Sequence, residues 1–568
     1  MHPLISIPEL FQLILNQSRL SSDIQSIGRL ALACKALHEQ ALDELWKEQD
    51  RLDYLIRLLP GDAWEVVKLL KMSADDEDFE EEQVYLPVRI LRDVLPAEWD
   101  RVILPYSRRI RTLVFCPEQI PHWSVLEQLT QYQDPTRQRL LPLQHYLFPN
   151  LRHLRWRTTD MFYTSLIYHF CGPRLRDVEI YVHPESLPLP DAPPRTPQDA
   201  IRALRLPWSQ LERVSFVVVH SWQCMPTPGG SFTGAVVQLS ACMTNLRLEG
   251  LDLEGLAHLG TLPKLESLQL WQPRVADLTR NLSERPYFLD NKYVAPSRFA
   301  LPALKHLAIN NAPIGYTAEI FRLPLSLPQL QRLELVVRDS WHNLESQFTD
   351  LFSLLAERLP PNLSDIRISD CYQPSTHSTW TVTHHRFDAA TLIPLSALSQ
   401  LTNVELYYSN GVSLNEATLS ILAQAWPRLE NLALQQYERR HWHTPISKLT
   451  LGSLETLARY CPRLKSLCLC FDASRPPPAA PFPATTPTEL AARVRQDALT
   501  LLDVGRSEWP TGQDAATNVA RYLSGMFPSL VSLRSVPAEG SSWHRVQKML
   551  VLMADARRDE RAWIGAGL

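Results

Sequence analysis

A short leucine phrase recurs along most of this chain. It consists of a proline or an aromatic residue followed by Leu-x-x-Leu-x-Leu, with some substitution at each position. Clear copies are FPNLRHLRW (148–156), GPRLRDVEI (172–180), LPKLESLQL (262–270), LPALKHLAI (301–309), LPQLQRLEL (327–335), PPNLSDIRI (360–368), WPRLENLAL (426–434) and CPRLKSLCL (461–469). Weaker copies are SRRIRTLVF (107–115), WSQLERVSF (208–216), LTNVEL (401–406), ALTLLDV (498–504) and FPSLVSLRS (527–535). The leucines of Leu-x-Leu share one face of an extended strand, because alternate strand residues point the same way. Each copy therefore predicts a short parallel strand that becomes stable only by stacking on its neighbours.

Helical patterns precede the later copies. Examples are TLSILAQAW (418–426), LGSLETLARYC (451–461) and NVARYLSGMF (518–527), each ending at or beside a proline. Proline cannot continue a helix and favours an extended residue before it, so it returns the chain from helix to strand. The repeated order of helix, proline and strand predicts a right-handed α/β solenoid. A chain of 568 residues is too long for one ordinary globular core, whereas a solenoid grows in one dimension.

These copies resemble leucine-rich repeats over residues 105–540. The resemblance implies an arc of short parallel strands with helices on its convex side. The Asn or Cys that follows the last strand leucine in regular members is nearly absent, and Cys371 is the one clean instance. Repeat intervals also vary more than the roughly 20–29 residues of regular members. We therefore expect an irregular solenoid, with proline-rich insertions near 183–197 and 474–488 that form surface loops.

The first sixty residues follow a different pattern. Pro8 suits the first turn of a helix, and Leu10, Leu13 and Ile14 lie on one face of that helix. Apolar residues continue at helical spacing, which predicts about three short helices. Helices of this kind expose more apolar surface than a segment of this size can bury. A partner or the solenoid must therefore cover the excess.

Several motifs in these helices carry a second resemblance. They are Pro8-Glu9-Leu10, Ile14-Leu15, Leu30-Ala31, Cys34-Lys35-Ala36-Leu37, Ala41-Leu42-Asp43 and Leu45-Trp46. Together they resemble the F-box-like segment of fungal F-box proteins. The resemblance implies that the segment binds a Skp-type adaptor, which links it to a cullin–RING ubiquitin ligase, and that the leucine-rich domain captures a protein substrate. By position, it assigns the adaptor-binding face to Pro8, Leu10, Ile14, Leu15, Leu30, Cys34 and Leu37. The alternative is a non-catalytic scaffold whose N-terminal helices only cap the first repeat.

The target-binding face follows from the strand pattern. If the strand leucines point inward, the residues between them lie on the concave side, which solenoids use for binding. The candidates are Arg155, Arg157, Glu179, Tyr181, Trp271, Arg367, Glu405, Tyr407 and Gln435. Aromatic residues and arginine are favoured at protein-binding hot spots. Trp271 and the Tyr407–Tyr408 pair are the strongest individual candidates.

Four parts are expected along the chain. They are the F-box-like segment (1–60), a helical and acidic linker (61–104), the repeat solenoid (105–540) and a helical tail (541–568). The acidic block DDEDFEEE (75–82) within the linker is typical of a solvated loop, with a docking site for a basic partner as the alternative.

Other classes of function find little support in the residues. The formal net charge of −4 gives no reason to expect a nucleic-acid partner, and no apolar run approaches the ~18 residues of a membrane helix. The N-terminus lacks the basic region of a signal peptide. Nine cysteines without a CxxC pair fit reduced thiols in the cytoplasm or nucleus.

No enzymatic or cofactor chemistry is expected. Neither a phosphate loop nor a catalytic Ser/His/Asp arrangement stands out. His377, His384, His385, His441 and His443 lack the spacing of a metal site and are expected on loops. Cys468 and Cys470 flank Leu469 and are expected as reduced thiols on the concave face, with a metal or redox pair as the alternative.

Overall fold

The computed structural model describes residues 8–20, 24–33, 35–66, 88–115, 147–158, 167–182, 210–218, 241–248, 251, 253–271, 299–338, 344–370, 387–408, 412–435, 448–475, 494–508, 514–536 and 542–565. The chain is divided into two compact units, Met1–Leu265 and Glu266–Leu568. The acidic block, Cys371, the 183–197 insertion and most of the 474–488 insertion lie outside the described residues.

The first unit begins with three helices and continues as a parallel sheet. Its helices are α1 (Pro8–Leu20), α2 (Ile24–Ala33), α3 (Lys35–Trp46), α4 (Asp53–Ile56), α5 (Pro96–Glu98), α6 (Leu104–Ser107) and α7 (Leu253–Leu259), with a π-helical turn at Trp99–Ile103 and a 3-10 turn at Ile167–Phe170. Its strands are β1 (Glu48–Gln49), β2 (Trp64–Val66), β3 (Val88–Ile90), β4 (Thr112–Phe115), β5 (His153–Thr158), β6 (Asp177–Val182), β7 (Arg213–Val218) and β8 (Asn245–Leu248). The sheet runs β1-β4-β5-β6-β7-β8, all parallel, while β2 and β3 pair as a separate antiparallel ribbon.

The second unit continues the same design. Its strands are β9 (Ser267–Trp271), β10 (Phe299–Ala300), β11 (His306–Pro313), β12 (Leu325–Ser326), β13 (Arg332–Arg338), β14 (Asp365–Asp370), β15 (Asn403–Tyr407), β16 (Asn431–Gln435), β17 (Ser466–Leu469), β18 (Leu501–Asp503) and β19 (Ser532–Arg534). Its helices are α8 (Ile314–Arg322), α9 (Leu344–Arg358), α10 (Ala389–Leu392), α11 (Glu416–Ala425), α12 (Ser453–Tyr460), α13 (Ala515–Met526) and α14 (Ser542–Gly565), with a 3-10 turn at Ile393–Ala397. Its parallel sheet runs β9-β11-β13 and then in chain order to β19, and β10 pairs with β12 beside it.

The register of the sheet places apolar residue on apolar residue. In the second unit one buried column runs through Leu333, Ile366, Val404, Leu432, Leu467, Leu502 and Leu533. Buried and half-exposed residues alternate along strands such as β14 and β15, as one-sided burial of a sheet requires. All the leucine phrases form strands, so the prediction of an α/β leucine-rich-repeat fold is confirmed. β8 adds a copy, in TNLRL (244–248), that the phrase search missed.

Three helices end in the way that the helix–proline–strand pattern predicts. The residues after α11, α12 and α13 are Trp426, Cys461 and Phe527, and their backbone dihedrals are nearly the same, with φ between −115° and −122° and ψ between 60° and 76°. Each donates its N–H to the carbonyl four residues back, at 2.7–3.1 Å. The proline that follows then starts the turn into the next strand.

The last strand of the second unit is covered by α14. Trp543, Val546 and Leu550 of this helix are buried. Gln547 supplies a substitute for a neighbouring strand, because its Nε2 donates to the Val531 carbonyl at 3.0 Å and its Oε1 accepts from the Leu533 N–H. The open edge of β19 is thereby closed against pairing with another chain.

Candidate interaction surfaces

The three N-terminal helices enclose a small apolar core. It consists of Phe11, Leu15, Ile27, Ala31, Leu37 and Ala41, with Leu30, Leu42 and Leu45 packed partly against it. Glu44 is also buried, and it accepts hydrogen bonds from Gln12 Nε2 at 2.9 Å and from Lys47 Nζ at 3.1 Å. A buried carboxylate with these partners ties α1 to α3, since an unpaired charge there would be costly.

The outer sides of α1 and α2 remain apolar and exposed. Leu13 is 63% exposed and Leu32 is 85% exposed, whereas Leu15 is fully buried. Leu10, Ile14 and Ile24 are exposed as well. We call these five residues, Leu10, Leu13, Ile14, Ile24 and Leu32, the helical apolar surface. Large aliphatic side chains concentrated on one short segment are typical of a surface that another molecule covers.

The residues of the predicted adaptor face are divided between the surface and the interior of the three helices. Leu10 and Ile14 are exposed, Leu30 is half-buried, and Pro8 is the first residue of α1. Leu15 and Leu37 belong to the interior instead, so they stabilise the three helices and offer no surface to a partner. Cys34 lies outside the described residues. Leu13 and Leu32 were missing from the predicted face, although Leu13 shares the spacing that marked Leu10 and Ile14.

The helical segment is joined to the sheet through α3. This helix leads directly into β1, which pairs with β4. Trp46 packs on Tyr106 with ring centroids 5.0 Å apart, and Arg109 forms ion pairs with Glu39 and Asp43 of α3. The pKa of the Glu39 carboxyl lies below its usual value, because the Arg109 guanidinium donates a hydrogen bond to it and attracts its charge.

The residues between the strand leucines form the face that we call the open face. In the first unit, Arg155 pairs with Glu179 at 3.2 Å. Arg157 and Arg247 both contact the Tyr181 ring, with guanidinium carbons 5.4 and 5.6 Å from its centroid, and Arg247 Nη1 donates to the Tyr181 hydroxyl at 3.0 Å. The structure thus brings four of the predicted target-binding residues together on neighbouring strands β5 and β6. Arg247 was not predicted, because β8 was not recognised as a repeat.

In the second unit, most of the predicted open-face residues lie on three adjacent strands. Arg367 Nη2 lies 2.9 Å from Glu405 Oε1, on adjacent strands, and Tyr407 follows half-buried on the same side as Glu405. Trp271 is half-buried at the end of β9, and Gln435 ends β16. Arg367, Glu405, Tyr407 and Gln435 therefore lie on the adjacent strands β14, β15 and β16, whereas Trp271 lies on β9.

Two of the predicted open-face side chains are buried. Tyr408 is buried and stacks on Phe387 with ring centroids 4.3 Å apart, so the Tyr407–Tyr408 pair is split between the two sides of the strand. Cys468 is only 6% exposed, so its thiol does not line an accessible surface, and Cys470 is half-buried. Burial raises the pKa of the Cys470 thiol.

The described residues hold no group of three or more potential metal ligands. The five histidines weighed as ligands lie outside them. Nor does the described part of the chain include a helix with the length and apolarity that a bilayer crossing demands. Both units are built of leucine-rich repeats, which is a protein-interaction fold.

Comparisons with known proteins find only distant structural similarity. No family model matches the sequence. No curated protein matches it. Among solved structures, an internalin from Listeria monocytogenes is 13% identical over 68% of this chain and 81% of its own, with a TM-score of 0.29. Rad7 in its yeast complex with Elc1 is 11% identical over 72% and 82%, with a TM-score of 0.31. The leucine-rich-repeat-containing protein LegL7 from Legionella pneumophila is 12% identical over 66% and 90%, with a TM-score of 0.26. Similarities this weak assign no function.

Proposed function

We propose that this chain is the substrate-recognition subunit of a Skp–cullin–F-box type ubiquitin ligase in the cytoplasm or nucleus. Its N-terminal helices would bind the Skp-type adaptor, and its repeats would bind a protein target. Such a subunit contributes proximity to another protein's active site, so it needs no catalytic residue and no cofactor of its own.

The observation that carries the proposal is the helical apolar surface. The exposed positions of Leu13 and Leu32 do not stabilise the isolated chain, whereas burying a leucine would contribute about 1.5–3 kcal/mol to stability. Their exposure is explained if a partner covers them. The resemblance of these helices to the F-box-like segment names the partner as a Skp-type adaptor.

The alternative, a scaffold whose helices only cap the first repeat, is favoured by the attachment of α3. A cap needs α3, whose Trp46 packs on Tyr106, and β1, which pairs with β4. A cap would use α1 and α2 only through their packing on α3, and it would give their exposed leucines no role.

The target is proposed to bind on the open face. The cluster of Arg155, Arg157, Glu179 and Tyr181 combines an aromatic ring with guanidinium groups on rigid strands. This combination suits a binding hot spot, because the strands hold the side chains in place before the target arrives.

Co-purification of the full chain from cells tests the adaptor. The double variant Leu13→Asp/Ile14→Asp should lower recovery of a Skp-type adaptor and a cullin by about tenfold or more, since two buried contacts would become charged. The melting temperature should stay close to that of the wild type, because both side chains are exposed.

The matched control is Leu552→Asp, which changes a leucine of similar exposure, 68%, on α14. It should leave adaptor recovery unchanged. Equal recovery from the wild type and the double variant would contradict the proposal. A double variant that fails to fold would show that Leu13 and Ile14 serve the fold itself, and would contradict the proposal that they form a partner surface.

A further inference from the structure

A pocket of about 380 Å³ in the first unit is lined mainly by arginine. The arginines and the amide at its wall are Arg108, Arg109, Arg111, Asn150, Arg152 and Arg174. Asp43 is the one carboxylate among the lining residues, and it already pairs with Arg109. The pocket therefore carries a large positive excess in a chain whose net charge is −4.

The repeat itself builds this pocket. Arg111 and Arg152 occupy the same repeat position, directly before β4 and β5. The Arg152 N–H donates to the Arg111 carbonyl at 2.8 Å, so the two residues are neighbours across the ladder. Adjacent strands are only about 4.8 Å apart, which holds two like charges close together at the pocket wall.

Elsewhere, a basic residue at this repeat position meets a carboxylate on the adjacent strand. Lys305 pairs with Glu266 at 2.7 Å, and Lys465 pairs with Glu430 at 2.6 Å. Arg176, the next member of the column, lies 3.6 Å from Glu212. Within the described residues, the guanidinium groups of Arg111 and Arg152 have no such partner.

The remaining polar groups of the pocket wall hold the arginines in position but do not neutralise their charge. Arg174 Nη1 donates to Asn150 Oδ1 at 2.9 Å, and Asn150 Nδ2 donates to the Arg108 carbonyl at 2.6 Å. Asn150 thereby fixes the wall between the arginines. The Arg108 side chain forms no ion pair among the described residues, so it adds a third free positive charge.

We infer that this arginine pocket binds a phosphate group carried by a segment of a protein partner. A phosphorylated side chain has a charge of about −1.5 to −2 and three acceptor oxygens. Several guanidinium groups therefore bind a phosphate better than they bind a single carboxylate. None of the described residues that line the pocket is an aromatic side chain on which a nucleic-acid base could stack. The inference rests on the proposed function only in taking the phosphate to belong to a substrate protein.

Fluorescence anisotropy on the full chain tests the pocket. The probes are a fluorescein-labelled peptide pool with phosphoserine fixed between degenerate flanking positions, and the same pool with serine. The phosphorylated pool should bind more tightly, and Arg111→Ala/Arg152→Ala should weaken its binding by about tenfold or more, because two charge-assisted contacts to the phosphate are lost. Arg152→Ala alone should give a smaller loss.

Lys305→Ala/Lys465→Ala is the matched control, since it removes two positive charges from the same repeat position where they are paired. It should leave peptide binding unchanged. Equal binding of the two pools, or an equal loss in both double variants, would overturn the inference. Inorganic phosphate that competes as effectively as the phosphorylated pool would show a free-anion site and would also overturn it.

Adaptor recovery from the same variants separates this inference from the proposed function. Arg111→Ala/Arg152→Ala should still recover the adaptor, and Leu13→Asp/Ile14→Asp should still bind the phosphorylated pool. If the adaptor is never recovered while the pool still binds through Arg111 and Arg152, the proposed function fails and the phosphate pocket stands. If the adaptor is recovered but the phosphorylated pool does not bind through Arg111 and Arg152, the inference about the pocket fails and the proposed function stands.

Discussion

Gln496 is a buried amide in the turn that precedes β18 of the second unit. Its side chain is 3% exposed. Nε2 donates to the Leu464 carbonyl at 2.7 Å, with longer contacts to the carbonyls of Cys461 and Pro462, and Oε1 accepts from the Leu499 N–H at 2.9 Å. One amide thus joins the turn before β17 to the turn before β18.

We expect Gln496→Met to destabilise the second unit by about 2–6 kcal/mol. Methionine keeps the volume, so little cavity forms. The change leaves at least the Leu499 N–H and the Leu464 carbonyl buried without partners, and each such group costs about 1–3 kcal/mol. The loss can be measured by urea unfolding followed by circular dichroism, and locally by hydrogen exchange of the Leu499 amide.

Gln424→Met serves as the control. Gln424 is exposed on α11 and donates only to Ser420 Oγ, at 3.1 Å. A surface change of this kind should alter stability by no more than about 0.5 kcal/mol. If Gln496→Met costs as little as the control and the Leu499 amide exchanges at its original rate, then the amide does not hold the two turns together.

Two further predictions concern the end of the sheet and the thiols. Gln547→Ala should speed hydrogen exchange at the Leu533 amide and increase self-association measured by light scattering, because it reopens the β19 edge; unchanged exchange would contradict this. Burial raises the pKa of the Cys461 thiol to about 12, so native Cys461 should resist alkylation at pH 8 while exposed Cys242 reacts. The ordinary pKa of a cysteine thiol, which applies in the unfolded chain, is 9.0. Cys461 should therefore make the fold progressively less stable as the pH rises from 9 toward 12. If the difference in stability between wild type and Cys461→Ala does not change with pH, this reasoning is refuted.

The positions of the strands are predictable from sequence because their physical cause is local. Leu-x-Leu places two apolar side chains on one face, and the proline after a helix leaves the chain extended, as at Pro427 and Pro462. The same alternation could have placed Tyr408 correctly. It follows Val404 and Leu406 at intervals of two residues, and all three are buried.

Partners across the sheet are harder to predict, because they depend on strand register. Arg157 and Arg247 are 90 positions apart in the sequence, yet both contact Tyr181. The arginine pocket depends on register in the same way, since Arg111 and Arg152 become neighbours only when β4 and β5 pair. Their shared position before the strand leucine was a usable signal, and comparing that column between repeats would have revealed the basic run.

The two ends of the repeats show why a capping role alone does not account for the N-terminal helices. A cap works by burying its apolar side chains at the end of the repeats, as α14 does with Trp543, Val546 and Leu550. At the other end, α3 and β1 extend the sheet, while α1 and α2 bury only the residues that hold them to α3. Leu13, Ile14 and Leu32 do not contribute to this core. Exposed leucines on a segment of about three short helices serve neither the fold nor the cap, and this is the physical reason to look for a protein that covers them.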